Sequence, residues 1–208
     1  MPDQNFSPQD SLRIIHTMIE KTKQNIFDQS HYFLLWGWGA FIGCIGQYIL
    51  KVHFNYPRHY LVWLITFLCL AIMIFFLVRD AKKERVRTYA GDNMGHLWTG
   101  LGIAFTVLSM IFIKFGWQYC FPFFILLYGI GTFVSGQILR FVPLIAGGIV
   151  SFILSAVSVW FNEDLQMLFA AAALLFSYII PGHLLQMNYK KQGSLWKKKI
   201  FPAKKAFN

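Results

Sequence analysis

The sequence has few charged residues for its length. Only 13% of its 208 residues are Asp, Glu, Lys or Arg, whereas about one-quarter of a soluble domain is charged. Acidic residues are the scarcest, with nine against nineteen basic residues. In contrast, 56% of the residues are hydrophobic and 18% are aromatic, which is more apolar material than the core of a soluble protein of this size can bury. The composition excludes an ordinary soluble domain and predicts a surface that largely faces lipid.

Charged side chains are absent from six long stretches of the chain. A charge near the bilayer centre costs at least about 2.5 kcal/mol, and each stretch has roughly the 20 residues that cross about 30 Å of hydrocarbon as a helix. Runs such as LVWLITFLCLAIMIFFLV lack the alternation of transmembrane barrel strands. We therefore predict an all-α polytopic membrane protein, with a six-helix bundle over residues 32–189. The predicted spans are residues 32–50, 60–78, 97–113, 119–138, 142–160 and 165–186.

Residue patterns that carry chemistry are also missing. Cys44, Cys69 and Cys120 are odd in number and have no paired spacing, so neither a disulfide framework nor a zinc motif is predicted. No charged residue lies at mid-depth of a span, which disfavours ion-coupled transport. No Ser/His, paired-Asp or HExxH arrangement has helical spacing. We therefore expect a non-enzymatic protein, without catalytic residues, a metal or a cofactor.

The basic residues fall mostly on one side of the predicted membrane. Sixteen of the nineteen lie on the side of the two termini, and only Lys51, Arg58 and Lys114 lie on the other. Because Lys and Arg are retained in cytoplasmic segments, both termini are predicted to be cytoplasmic. The basic residues lie beside spans, which favours anionic lipid headgroups over nucleic acid as partners. The first apolar run is too long for a signal-peptide core, so we expect it to remain as an anchor.

The two ends of the chain flank the predicted bundle. Ser7 and Asp10 form a capping box with Pro8 at the first helical position, and apolar residues then recur at three-four spacing. Residues 1–31 are therefore predicted to form a cytoplasmic amphipathic helix, which lies on the membrane, packs on a cytoplasmic loop or binds a protein partner. Residues 190–208 are predicted to be a basic cytoplasmic tail.

Small residues recur on single faces of several spans. Helices in a bilayer associate through close packing of such residues, so we predict helix-packing seams; a hydroxyl-lined substrate path is the alternative. The second span has no such set and is predicted to be peripheral. In the sixth span, Pro181 removes the partner of the Ser177 carbonyl and predicts a kink that can act as a hinge. The seam residues are Gly39, Gly43, Gly46, Gly102, Thr106, Gly136, Gly148, Ser151, Ser155 and Ser158.

Polar residues are predicted to gather at the cytoplasmic membrane face. His31, His96 and His183 flank the first, third and sixth spans, and Gln137 and Arg140 end the fourth. If these helices adjoin, the side chains form a cytoplasmic-mouth cluster that can carry a proton or bind a metal. The alternative is a set of interfacial residues bonded to water or headgroups.

Three segments carry a resemblance: HYFLLWGWGAFIGCIGQYIL, SGQILRFVPLIAGGIVS and YIIPGH. Together they resemble a group of small multi-pass bacterial inner-membrane proteins that have no established activity. The resemblance extends along the chain and implies a six-helix architecture in a bacterial inner membrane. It implies no catalytic or binding residues.

The sequence leaves three classes of function open. We expect a non-enzymatic membrane component, such as a scaffold, sensor or regulator, that binds protein or lipid partners. The alternative is a small permease or channel for a neutral or hydrophobic solute, lined by the small-residue seams and gated near Pro181. The third class, an enzyme acting on lipid at the cytoplasmic mouth, requires His31, His96 or His183.

Overall fold

The computed structural model describes residues 33–81 and 89–187, and over these residues the chain is helical, with no strand. The predicted amphipathic helix at residues 1–31 and the basic tail at 190–208 lie outside the described residues. Six helices form the bundle. They are α1 Phe33–His53, α2 Leu64–Ala81 preceded by a 3-10 turn at His59–Trp63, α3 Tyr89–Phe115, α4 Cys120–Leu139 preceded by a 3-10 turn at Trp117–Tyr119, α5 Val142–Ser158, and α6 Glu163–Met187.

Local sequence explains where the helices begin and end. The Asn162 side chain accepts a hydrogen bond from the Leu165 backbone nitrogen at 3.2 Å and so caps the start of α6. Pro143 lies in the first turn of α5, where its missing N–H costs little. Gly116, with φ 96°, ends α3, and Arg140, with φ 51°, ends α4 in the left-handed conformation. The α4–α5 connection is therefore a tight antiparallel turn.

The predicted spans correspond to the six helices, with one large difference in bounds. The third span was predicted to start at residue 97, but α3 begins at Tyr89. The polar residues Asp92 and His96 marked the expected loop; Asp92 instead lies in the first helical turn, where a carboxylate interacts favourably with the helix dipole. Five helices are long and apolar enough to cross a membrane, and α5 is a shorter apolar helix of 17 residues.

The helices alternate in direction, so the bundle has two distinct ends. Lys51, late in α1, forms ion pairs with Glu163 and Asp164 at the start of α6. Phe33, at the first described position of α1, contacts Tyr178 late in α6 and Trp98 early in α3. We refer to these as the Lys51 end and the Phe33 end of the bundle.

The helices α1, α4, α5 and α6 form the centre of the bundle. The α4–α5 pair has the most extensive contact, and α6 packs against both of these helices. About half of the residues of α1, α4 and α6 are buried, whereas few residues of α2 and α3 are. Large apolar side chains such as Phe67 of α2 and Ile113 of α3 cover the exposed faces. The prediction that the second span is peripheral is confirmed.

Candidate functional site

The described members of the predicted cytoplasmic-mouth cluster do not contact one another directly. His96, Gln137, Arg140 and His183 all lie near the Phe33 end and all are exposed, and His31 lies outside the described residues. No hydrogen bond, ion pair or ring contact joins any two of these four side chains. Residues 33–81 and 89–187 contain no group of three or more His, Cys, Asp or Glu side chains placed to hold a metal ion.

The α4–α5 seam is a backbone-to-backbone contact at glycine. A Cβ atom added to Gly148 of α5 would lie 2.7 Å from the backbone nitrogen of Phe133, and one added to Gly136 of α4 would lie 2.7 Å from that of Ile145. Real Cβ atoms do not approach backbone so closely, so only glycine permits this helix separation. These two predicted seam residues therefore lie at a helix contact.

The glycines of α1 face α2. A Cβ atom at Gly39 would collide with Cys69 Sγ, and one at Gly46 would lie 3.0 Å from Val62 Cγ1. Gly43 faces the Trp63 ring, with the nearest ring carbon 3.4 Å from the added atom. The predicted α1 seam thus holds the peripheral helix α2 against the bundle.

The predicted seam on α3 does not form a helix contact in the described residues. A Cβ atom added to Gly102 would have no neighbour within 4 Å. Thr106 is exposed, and its hydroxyl donates to the Gly102 carbonyl at 2.9 Å within the same helix. Small-residue spacing alone does not show whether a face meets another helix, and in α3 it meets none of the described helices.

The three seam serines of α5 are buried, and they differ in their partners. Ser155 Oγ donates to the Pro122 carbonyl of α4 at 2.8 Å, and Ser158 Oγ donates to the Ser155 carbonyl at 2.8 Å. Ser151 Oγ has no hydrogen-bond partner in the structure, and neither has Ser135 Oγ of α4. The helices α4 and α5 therefore each contain a buried hydroxyl whose hydrogen bonds are not made.

Pro181 lies beside a distortion of α6. The residues Leu175–Ile179 form a π-helical turn, and the Ile180 backbone nitrogen donates to the Leu175 carbonyl. Proline cannot donate to the carbonyl four residues earlier, and a π turn changes the hydrogen-bonding register just before it. A π turn therefore lies just before Pro181. It also contains Tyr178, which the sequence analysis did not single out.

Four aromatic residues from four helices meet inside the Phe33 half of the bundle. They are Phe33 of α1, Trp98 of α3, Tyr128 of α4 and Tyr178 of α6, and we call this group the aromatic centre. The Tyr178 ring centroid lies 5.5 Å from that of Phe33, 6.0 Å from that of Trp98 and 5.6 Å from that of Tyr128. Tyr178 is thus the hub of the group. Edge and tilted contacts at these distances are favourable ring geometries.

Two glycines make room for the aromatic centre. A Cβ atom at Gly37 of α1 would lie 2.7 Å from Tyr178 Cβ, and one at Gly131 of α4 would lie 3.0 Å from the Trp98 ring. The backbones of neighbouring helices therefore hold both rings in place. Sequence reasoning missed this site because aromatic residues are abundant throughout the chain, and only the helix arrangement separates the four that converge.

Polar hydrogen-bonding groups in the aromatic centre are incompletely paired. Trp98 Nε1 and Tyr178 Oη are buried and have no hydrogen-bond partner in the structure. A buried donor without an acceptor is unfavourable and rare in folded proteins. The aromatic centre is therefore our candidate functional site.

A second polar group lies at the Lys51 end. Lys51 Nζ lies 2.8 Å from both Glu163 Oε2 and Asp164 Oδ1. Nearby in the chain, the buried Gln47 side chain accepts a hydrogen bond from Trp63 Nε1 at 2.5 Å, and its amide nitrogen lies 3.4 Å from His59 Nδ1. These contacts join α1 to α6 and to the start of α2, which is a structural role.

The fold and the exposed apolar helices define the class of this protein as an all-α polytopic bundle of the membrane type. Comparison with protein-family models, curated proteins and solved structures finds no match to this chain. Function must therefore be argued from the residues and contacts described above.

Proposed function

We propose that this chain is a non-enzymatic component of a bacterial inner membrane that binds protein or lipid partners, with both termini in the cytoplasm. The observation that carries the proposal is the closed α4–α5 seam. Gly136 and Gly148 place backbone against backbone there, so these small residues are used in helix packing. A packed bundle of this kind supports a binding role more than solute passage.

The charge distribution supports the orientation and the lipid partners. The described spans contain no charged residue at mid-depth, whereas the segments at residues 79–87 and 190–205 are strongly basic. Basic residues beside spans interact with the anionic headgroups of the cytoplasmic leaflet. The amphipathic pattern of residues 7–30 supplies a further surface for a protein partner.

Site-specific photocrosslinking in intact membranes tests the proposed binding role. A crosslinking residue introduced at several positions within 7–30 or 79–96 is expected to yield one reproducible protein adduct, identified by mass spectrometry. The same residue at Trp160, which is 85% exposed at the Lys51 end, serves as the matched control. Recovery of lipid alone from all cytoplasmic positions would argue against a protein partner.

A small permease for a neutral solute is the second candidate, and one observation favours it. The hydroxyls of Ser135 in α4 and Ser151 in α5 are buried without partners, and such groups can line a path for a polar solute. Under this candidate, proteoliposomes show solute flux that Ser151→Val abolishes, whereas enlarging the exposed Gly102 has no effect. Absence of flux for a panel of small neutral solutes would remove this candidate.

A further inference from the structure

The aromatic centre contains two hydrogen-bond donors that the described protein does not satisfy. The Tyr178 side chain is 1% exposed, and its hydroxyl has no partner. Trp98 Nε1 is also buried without a partner, although the rest of that indole is partly exposed. An indole N–H can only donate a hydrogen bond, and a phenol hydroxyl donates one to an acceptor that has no hydrogen of its own. The missing group is therefore an acceptor.

The two donors belong to different helices, and their rings are close together. The Trp98 and Tyr178 ring centroids are 6.0 Å apart at an interplanar angle of 66°. The backbones at Gly37 and Gly131 hold the rings there, and the π turn at Leu175–Ile179 changes the direction in which Tyr178 leaves α6. Such turns are frequent at functional sites. The two rings are therefore neighbours. Because both donor atoms are enclosed by protein, a ligand group reaches them only when the surrounding side chains move apart.

The surroundings indicate the chemistry of that ligand. The aromatic rings of Phe33 and Tyr128 form apolar walls beside the donors. No hydrogen bond or ion pair links a charged side chain of the described residues to the aromatic centre. A charged ligand would be buried without a counter-charge, which is strongly unfavourable. The ligand is therefore neutral and largely apolar, and it carries an exposed acceptor oxygen.

The position of Trp98 agrees with a ligand taken from the bilayer. Trp98 is on the peripheral helix α3, and its indole is partly exposed. This exposed part of the ring offers access from the lipid.

We propose that Trp98 and Tyr178 form a binding site for the carbonyl oxygen of a neutral, lipid-soluble molecule, with the aromatic centre enclosing the adjacent apolar part. The carbonyl belongs either to a quinone ring or to the ester of a membrane lipid, because both present an unhindered acceptor on an apolar body. The site is independent of the proposed binding of partners at the cytoplasmic face.

Binding to the purified full-length protein in ether-lipid nanodiscs tests this site. Decylubiquinone is titrated against tryptophan fluorescence, and ester-linked diacylglycerol is compared with its ether-linked analogue by the shift in melting temperature. Loss of one hydrogen bond in Tyr178→Phe is expected to weaken binding about tenfold. Trp98→Phe is expected to have a similar effect. A response to the quinone identifies one source of the carbonyl, and a response to ester but not ether lipid identifies the other.

Matched substitutions at exposed aromatic residues separate the site from general effects. Tyr119→Phe and Trp160→Phe change residues that are 57% and 85% exposed at the Lys51 end, and both are expected to bind like the wild-type protein. The proposal is overturned if neither carbonyl compound binds, or if Tyr178→Phe binds as tightly as Tyr119→Phe. If Trp98 and Tyr178 bind only water, neither carbonyl compound will bind, and the proposal is overturned.

A spectroscopic measurement on the wild-type protein covers the case in which a variant does not fold. The ¹³C-labelled carbonyl of the bound ligand is expected to absorb at a lower infrared frequency than the same carbonyl in a nanodisc without protein. The reason is that hydrogen bonds donated by Trp98 and Tyr178 weaken the C=O bond. An unshifted carbonyl band would contradict the proposed hydrogen bonds.

The melting temperature of the ligand-free protein gives a further check. Ligand-free Tyr178→Phe is expected to melt no lower than the wild type, since it removes a buried hydroxyl that has no partner.

Discussion

At the scale of single residues, neighbouring backbone decides which small side chains matter. Gly148 and Gly102 both lie inside apolar helices, Gly148 in α5 and Gly102 in α3. A Cβ atom at Gly148 would lie 2.7 Å from Phe133 backbone, whereas one at Gly102 would meet nothing within 4 Å. The two positions therefore differ in their tolerance of substitution, although both were predicted to line seams.

Alanine substitution is expected to separate these two glycines. Gly148→Ala forces α4 and α5 apart and should destabilise the protein by about 1–3 kcal/mol, the usual cost of overpacking. Gly102→Ala should leave stability unchanged or raise it by up to about 1 kcal/mol, because alanine favours helix. Thermal unfolding in detergent, followed by fluorescence-detected size exclusion, measures both. Equal effects at the two positions would show that the α4–α5 contact is not as close as described.

The structural role of the buried Gln47 depends on its hydrogen bond with Trp63. It accepts the Trp63 indole hydrogen bond at 2.5 Å, so Gln47→Leu leaves that N–H without an acceptor and should cost about 1–3 kcal/mol. In the Trp63→Phe background the same change should cost about 1 kcal/mol less. A double-mutant cycle of unfolding free energies measures this coupling. Additive effects would mean that the two side chains do not interact.

At the scale of helices, length and end positions follow from apolar runs and local caps, whereas distortions follow from specific residues. The early start of α3 at Tyr89 shows that polar residues can continue a helix beyond the apolar segment. The π turn at Leu175–Ile179 shows how α6 accommodates Pro181. The Lys51 end adds a link between elements that are distant in sequence, since Lys51 pairs with Glu163 and Asp164.

The Lys51 ion pairs are expected to contribute modestly to the joining of α1 and α6. The Lys51, Glu163 and Asp164 side chains are 28%, 31% and 38% exposed, and partly exposed pairs contribute up to about 1 kcal/mol. Lys51→Met should lower the unfolding free energy by that amount, and the difference should shrink at high salt. Lys114→Met, at an exposed lysine without an ion pair among the described residues, is the control and should have no such salt-dependent effect.

At the scale of the whole molecule, the alternation of six helices places the Phe33 and Lys51 ends on opposite faces of the bundle. The bias of basic residues toward the termini then predicts which face is cytoplasmic. Cys44, Cys69 and Cys120 are buried, so a membrane-impermeant thiol reagent should leave the wild-type protein unlabelled. This makes the native chain a suitable background for mapping orientation.

Cysteine labelling in intact cells is expected to place the two ends on opposite sides of the membrane. Gln118→Cys and Trp160→Cys, both at exposed positions of the Lys51 end, should react with an impermeant maleimide added outside. Arg140→Cys and Lys190→Cys should react only after permeabilisation. If Lys190→Cys were labelled from outside, the C-terminus would not be cytoplasmic. Either the whole orientation would be the reverse of the proposed one, or the two termini would lie on opposite sides of the membrane.

The sequence by itself determined the fold class and the six helices, because the cost of placing charge and unpaired backbone in hydrocarbon acts on each segment separately. The lack of a small-residue set on the second span also predicted the peripheral position of α2. It also identified Gly136, Gly148 and Pro181 as special positions. Only the tertiary structure decided that the Gly102 face meets no described helix, that no direct contact joins His96, Gln137, Arg140 and His183, and that the Trp98 and Tyr178 rings meet. Those properties depend on the rotation of each helix about its axis, which is set by packing against neighbours and not by local composition.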